Sequence, residues 1–243
     1  FAPCAYFIGI LAIVISGTIL KKTRPFLSDD TPFVMELPSY HLPTFKNVMK
    51  SMWERGSGFL KKAGSIILLA SVAIWFLSNF GFENSKFLMV DDMNNSILAV
   101  IGKALAVLFE PLGFGFWQAS VATIMGLLAK EGIVSVLGVL VSDISQLFTQ
   151  VSGFSFLVFN LLCIPCVAAV AAIWRELRNW KWFLFALLYQ TFFAYSAAFC
   201  IYQFALLFTT GVFTVSTIVA FVTVGLYLFF IFRKPSKRKS DVK

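Results

Sequence analysis

Cys163-Ile164-Pro165-Cys166 sits in the middle of a long apolar run and joins two thiols to a helix-breaking residue. Proline has no N–H and its ring clashes with the carbonyl four residues earlier, so a helix through 165 is expected to kink there and leave the Leu161 carbonyl without its helical partner. Within a bilayer such a carbonyl needs a neighbour, a water or an ion. Cys163 and Cys166 are three apart and on a helix share roughly one face. Thiolates suit soft and borderline cations, ferrous iron among them. The motif therefore offers two sulfurs and a freed carbonyl at one depth. The same residues also describe a proline kink packed between helices, with the cysteines as small apolar fillers. A CxxC alone does not choose between the two.

Lys130-Glu131 is the second exception within an apolar run. A charged side chain mid-membrane costs about 2.5–3.5 kcal/mol on insertion scales, so such residues face a polar cavity or a partner. Neighbours on a helix point about 100° apart, so the two need not pair with each other. Glu131 is placed to coordinate a cation and Lys130 to hold a carboxylate elsewhere. A structural ion pair in a bundle, or a helix end near the interface, explains them as well. Gly126, Gly132 and Gly138 in the same run are read as packing positions that let helices approach. Tyr189-Gln190, Ala194-Tyr195-Ser196 and Tyr202-Gln203 space polar groups along one later run, either lining a path or hydrogen-bonding across helices. His41 is the single histidine, so no histidine-rich metal site exists. There is no G-x-x-x-x-G-K-[ST], no nucleophile elbow and no HExxH, so nothing in the sequence argues for an enzyme.

The elements that position these residues must be membrane helices. The chain has 243 residues, 59% of them hydrophobic and 13% charged, with a mean hydropathy of +0.84. Soluble domains average about 45–50% apolar and about 25% charged. Apolar runs cover residues 1–20, 63–80, 96–109, 117–141, 154–174, 182–208 and 212–232. Most approach the roughly 20 residues a spanning helix needs. Residues 96–109 are short, stopped by Glu110-Pro111. Residues 44–62 carry Lys46, Lys50, Arg55, Lys61 and Lys62 among Phe45, Val48, Met49, Met52, Trp53 and Phe59 at spacings of three and four, which predicts an amphipathic surface helix with Thr44 as its N-cap. The four cysteines, Cys4, Cys163, Cys166 and Cys200, all lie in apolar runs and do not form a secreted disulfide framework. The fold expected is all-α, a polytopic transmembrane bundle with a cytoplasmic amphipathic helix.

The net charge of +8 reflects orientation rather than nucleic-acid binding. Residues 21–62 hold eight bases, 175–181 three and the tail 233–243 six, whereas 81–95 is acidic. Basic loops mark the cytoplasmic side. Counting 96–109 as a short passage gives about seven crossings and places every basic loop, and the C-terminus, inside. Treating it as re-entrant gives six and puts the tail outside. The seven-passage arrangement is the one expected. The sequence opens on Phe1 within an apolar run, without a basic n-region or a small-residue cleavage site. That predicts no signal peptide and a start in the middle of a larger protein.

Met35-Glu36-Leu37-Pro38-Ser39-Tyr40, Leu42-Pro43-Thr44, Trp117-Gln118, Ala129-Lys130-Glu131-Gly132, Cys163-Ile164-Pro165-Cys166-Val167-Ala168, Arg175-Glu176, Tyr189-Gln190 and Ala194-Tyr195 occur in this order. Together they resemble the membrane region of the ferrous iron transport protein B family (FeoB), over nearly the whole chain. That family joins a cytoplasmic G-protein domain to a membrane domain with two Gate repeats. The resemblance implies that residues 1–20 end the first Gate region, 21–62 form a basic cytoplasmic segment, 63–141 a central membrane region, 154–232 the second Gate region and 233–243 a cytoplasmic tail. It implies Fe²⁺ as transported substrate, passing Cys166, with Cys163 and Glu131 as further metal candidates. Cys166 matches the cysteine of the second Gate motif, and Cys163 is an additional one. GTP would act only through a G domain outside this sequence. The implied partners are the lipid bilayer, that N-terminal G domain, small cytoplasmic Feo accessory proteins and a further copy of the chain, with no nucleic acid. The implied location is the bacterial inner membrane. A Gate-containing protein that moves or senses a non-metal solute such as a nucleoside is the alternative, and an interaction subunit without a transport path is a third reading.

Overall fold

The computed structural model describes residues 2–23, 44–83, 86–90, 93–128, 130, 132–141, 144–211 and 213–233. The expected all-α membrane bundle is what forms. Helix α1 (Ala2–Lys21) is followed, after a segment outside the described residues, by α2 (Phe45–Asn79). A two-stranded antiparallel hairpin, β1 (Phe80–Glu83) and β2 (Lys86–Met89), pairs Phe80 with Met89 and Glu83 with Lys86. Then come α3 (Ile97–Phe109), α4 (Trp117–Leu128), α5 (Gly132–Leu140), the single turn α6 (Ile144–Leu147), α7 (Gln150–Leu162), α8 (Val167–Leu177), α9 (Trp180–Thr210) and α10 (Val215–Phe232).

Among the described residues three helices are long and apolar enough to cross a membrane alone: α1 over Cys4–Lys21, α9 and α10. Their outer faces are bare hydrocarbon; Ile13 is 74% exposed and Phe229 65%, surface that a bilayer solvates and water does not. Helix α9 has 31 residues, about 46 Å at 1.5 Å per residue, which exceeds a roughly 30 Å hydrocarbon core. Helices α3 and α4 pass the same test only as a pair, with Ile97–Leu112 and Trp117–Leu127 bent by 97°. The short run 96–109 is thus one arm of a sharply bent hairpin rather than a free-standing element.

Two expectations change here. The surface helix over 44–62 and the span over 63–80 are one continuous helix of 35 residues. No proline interrupts it, and Gly56, Gly58 and Gly64 alone do not break a helix whose apolar run continues. Thr44 does stand at the N-cap, but its side chain makes no capping bond. The polar loop over 81–95 begins as the β-hairpin, because two short strands separated by two residues can pair locally.

The core lies where the α3–α4 hairpin meets α5, α7 and α9. Leu112, Phe114, Ala119, Ala122, Ala194 and Ala198 are fully buried. Phe114 stacks with Phe109 at 5.3 Å and meets Phe156 edge-on at 5.2 Å. Helices α7 and α9 approach through small residues, and Ser155, fully buried, donates to the Ala198 carbonyl at 3.2 Å. Small residues and cross-helix hydrogen bonds are what hold helices together in lipid, where no hydrophobic force separates them from solvent.

Candidate functional site

The site grows from a helix that stops. Helix α7 starts with a capping box, in which the Thr149 side chain accepts from the Ser152 N–H at 3.2 Å and the Ser152 hydroxyl accepts from the Thr149 N–H at 2.9 Å. Its last helical bond is Cys163 N–H to the Phe159 carbonyl, 2.8 Å. Pro165 cannot donate, and a residue preceding proline is pushed out of the α region. The chain therefore runs extended through Cys163 (φ −65°, ψ 176°) to Cys166 (φ −57°, ψ 157°), and α8 restarts with Val170 N–H on the Cys166 carbonyl at 3.0 Å. The expected kink is a complete break. Cys163 and Cys166 accordingly do not share a helix face: Cys163 caps the end of α7 and is buried, while Cys166 caps the start of α8 and is half-buried.

A second break faces it. The run 117–141 is not one helix but two, α4 ending at Leu128 and α5 starting at Gly132, with Lys130 in a turn between them. Lys130 lies in that gap and Ile133 N–H returns to its carbonyl at 3.4 Å. Helix α5 doubles back so closely that a methyl group on Gly126 would lie 2.6 Å from Ile133, which accounts for glycine there. Gly138, expected to pack, has open space around it instead.

Lys130 spans the two breaks. Its ammonium is 3.3 Å from the Leu161 carbonyl and 3.5 Å from the Cys163 carbonyl. Both contacts are longer than the best N–H···O distance, as befits one ammonium shared between two acceptors. The carbonyl that Pro165 was expected to free is thus met by a cation, and Lys130 holds backbone oxygens rather than the carboxylate expected. From the opposite side Gln190 of α9 donates to the same Cys163 carbonyl at 3.3 Å. The Cys163 thiol donates to the Asn160 carbonyl at 3.5 Å.

Each side of this junction opens on a cavity. Lys130, Asn160, Leu161, Ile133 and Phe156 line one of about 560 Å³. Gln190, Leu162, Tyr189 and Ser16 line another of about 450 Å³. Asn160 is 6% exposed. Its amide nitrogen donates to the Phe156 carbonyl at 2.9 Å, and its side-chain oxygen has no hydrogen-bond partner.

Against known proteins, the chain matches the family model for the ferrous iron transport protein B C terminus over residues 2–55 and the Gate model, described as nucleoside recognition, over residues 60–180. It is 39% identical over 211 residues to the Fe(2+) transporter FeoB of Staphylococcus aureus (strain MSSA476), covering 84% of this chain and 31% of that protein. It is 37% identical over 210 residues to the Fe(2+) transporter FeoB of Methanocaldococcus jannaschii, covering 79% of this chain and 30% of that one. The chain belongs to the FeoB family. It is also 33% identical over 256 residues to a Fe(2+) transport protein A/Fe(2+) transporter FeoB fusion protein of Porphyromonas gingivalis, covering 84% of this chain and 30% of that protein. The chain spans about a third of the length of these curated FeoB relatives. No solved structure matches.

Both helix breaks fall within the stretch that the Gate model covers. Of the metal candidates in this FeoB membrane region, Cys163 and Cys166 flank one break, and Glu131 lies outside the described residues, as do Glu36 and His41. Among the described residues no three Cys, His, Asp or Glu side chains cluster. The spaced polar groups of α9 turn out to be cross-helix ties: Tyr189 to Ser16 at 3.0 Å, Tyr195 to the Leu108 carbonyl at 3.0 Å, Gln203 to the Pro111 carbonyl at 3.2 Å, and Ser196 to Tyr227. Sequence reasoning missed Asn160 at the site. A lone amide in an apolar run was the signal available.

Proposed function

We propose that this chain is the C-terminal membrane portion of a GTP-dependent ferrous iron uptake transporter. Fe²⁺ is its substrate and passes the break at 163–166, meeting Cys166, Cys163 and Glu131. GTP hydrolysis in a G-protein domain beyond residues 1–243 gates or drives the movement, so this chain carries the path and not the hydrolysis. The observation that carries the reading is the meeting of two broken helices through Lys130 and the Leu161 and Cys163 carbonyls. Membrane transporters build substrate and ion sites from such discontinuous helices, with unwound carbonyls facing the ion. The names of the relatives supply the ion.

The setting proposed is the bacterial inner membrane, with residues 1–20 closing the first Gate region, 154–232 forming the second and the tail in the cytoplasm. The upstream G domain, small Feo accessory proteins and a further copy of the chain are the proposed partners. The fusion of Fe(2+) transport protein A to one relative supports the second of these.

Iron-uptake complementation with the full-length parent tests the path. Cys166→Ser and Glu131→Gln should each cut uptake at least tenfold at equal expression. Wild-type uptake by both variants removes the residue assignment. The Gate model's description favours nucleoside movement as a second reading. Uptake of labelled nucleoside, with no iron uptake, by the intact parent would select it.

A further inference from the structure

The Leu161 and Cys163 carbonyls are acceptors that the break at Pro165 takes out of the helical ladder, and the structure fills them with the Lys130 ammonium at 3.3 and 3.5 Å. A third acceptor belongs to the wall of the cavity that Lys130 and Leu161 line. Asn160 is nine-tenths buried, lines the same cavity as Lys130 and Leu161, and keeps its side-chain oxygen without a donor. Its amide is not free to turn over, because the nitrogen is committed to the Phe156 carbonyl at 2.9 Å. A buried acceptor left empty costs about 1–3 kcal/mol unless something occupies it. That oxygen faces α4, where a methyl group on Gly126 would stand 3.6 Å from it, in ordinary van der Waals contact.

We propose that Asn160, Leu161 and Cys163 form a divalent-cation site of neutral oxygens, and that Lys130 is its tethered resident, which a cation must displace in order to enter. The inference rests on the transport reading above for its purpose, but not for its geometry. Carbonyl and amide oxygens take hard or borderline divalent cations that keep part of their hydration. The Lys130 ammonium satisfies the two carbonyls with one positive charge and no metal. It cannot stay while a doubly charged ion sits on them. The cavity of about 560 Å³ that Lys130 lines gives the side chain room to withdraw. Gln190 holds the Cys163 carbonyl from the other cavity at 3.3 Å, so that oxygen keeps its orientation when Lys130 leaves. Lys130 thereby occupies the freed carbonyls when no ion is bound.

The test uses the full-length parent in nanodiscs, with Mn²⁺ as the probe and binding read by electron paramagnetic resonance. Lys130→Gln should bind Mn²⁺ at least tenfold more tightly than wild type, Lys130→Arg should not, and adding Asn160→Ala to Lys130→Gln should remove most of the gain. In the wild type, saturating Mn²⁺ should raise acylation of Lys130 by an amine-reactive reagent several-fold, read by mass spectrometry. That arm decides alone where the variants do not fold. Unchanged Mn²⁺ affinity in a folded Lys130→Gln, a gain indifferent to Asn160, or unchanged or reduced Lys130 acylation overturns the proposal. Because Mn²⁺ carries these arms, they can succeed while iron uptake ignores Cys166 and Glu131, or fail while it depends on them. The two readings therefore fall separately.

Discussion

Gly113→Ala strikes the turn that bends α3 onto α4. Gly113 follows the 3₁₀ turn Glu110–Leu112 with φ 85° and ψ 7°, and its N–H returns to the Glu110 carbonyl at 3.0 Å. Left-handed backbone costs an alanine roughly 1–2 kcal/mol. A Cβ there would also lie 2.0 Å from Cε2 and 2.3 Å from Cζ of the Tyr202 ring, and overpacking of that kind costs typically about 1–3 kcal/mol. The sum is on the order of 3 kcal/mol, which corresponds to about 6–12 °C in Tm for a domain of this length. Gly211 supplies the control: it caps α9 with φ 67°, and nothing lies within 4 Å of its Cβ position. Gly211→Ala should show the backbone cost alone, about 1–2 kcal/mol. The assay is thermal unfolding of the detergent-solubilised parent followed by size-exclusion fluorescence. Tyr202→Ala in the Gly113→Ala background should restore the overlap portion and leave the backbone portion, as a double-mutant cycle isolates it. Equal losses at 113 and 211, or no recovery on removing Tyr202, would refute this account of the turn.

Two further substitutions probe the parts that hold the breaks in place. Pro165→Ala returns an N–H that can reach the Leu161 carbonyl in competition with Lys130, so iron uptake by the parent should fall at least tenfold while thermal stability holds or rises; retained uptake would count against the break as a working part. Ser155→Ala removes the donor to the Ala198 carbonyl across α7 and α9, and should cost about 0.6–1.7 kcal/mol, seen as a small fall in unfolding temperature with uptake preserved.

The bundle was legible because lipid-facing helices announce themselves by composition, and α1, α9 and α10 lie close to the apolar runs that predicted them. The break at 163–166 was half legible. Proline chemistry predicts a lost hydrogen bond, but only the packing of α5 against α4 shows which group answers the Leu161 carbonyl. The second break was only partly legible, since 117–141 contains no proline and its charged pair reads as well as a partnered intruder in a helix as it does as a helix end. Asn160 carried no spacing signal, and Gln190 carried only that of the polar groups spaced along 182–208, which does not point to the break. Gln190 takes its role from meeting the Cys163 carbonyl in space, 27 positions away in the chain, and Asn160 from the cavity it shares with Lys130 and Leu161.

The charge at position 130 gives these pieces a common logic. Two unit charges 4 Å apart at an effective dielectric of 20 interact by about 4 kcal/mol, so an ammonium beside a divalent ion is opposed by about 8 kcal/mol. That exceeds the few kcal/mol by which a hydrogen-bonded ammonium would hold its carbonyls. Co-occupancy is therefore excluded, and the choice between lysine and metal becomes all-or-none. A neutral residue at 130 would leave the Leu161 carbonyl without the donor the structure supplies and the path without its resident cation. An acidic one would repel those oxygens and trap the metal. A long, flexible, singly charged side chain meets both demands: it satisfies the broken backbone when no ion is present and is repelled when one arrives. On this argument the cost of placing Lys130 within an apolar bundle is offset by the two breaks it bridges, and the same bridge makes the breaks sensitive to a cation.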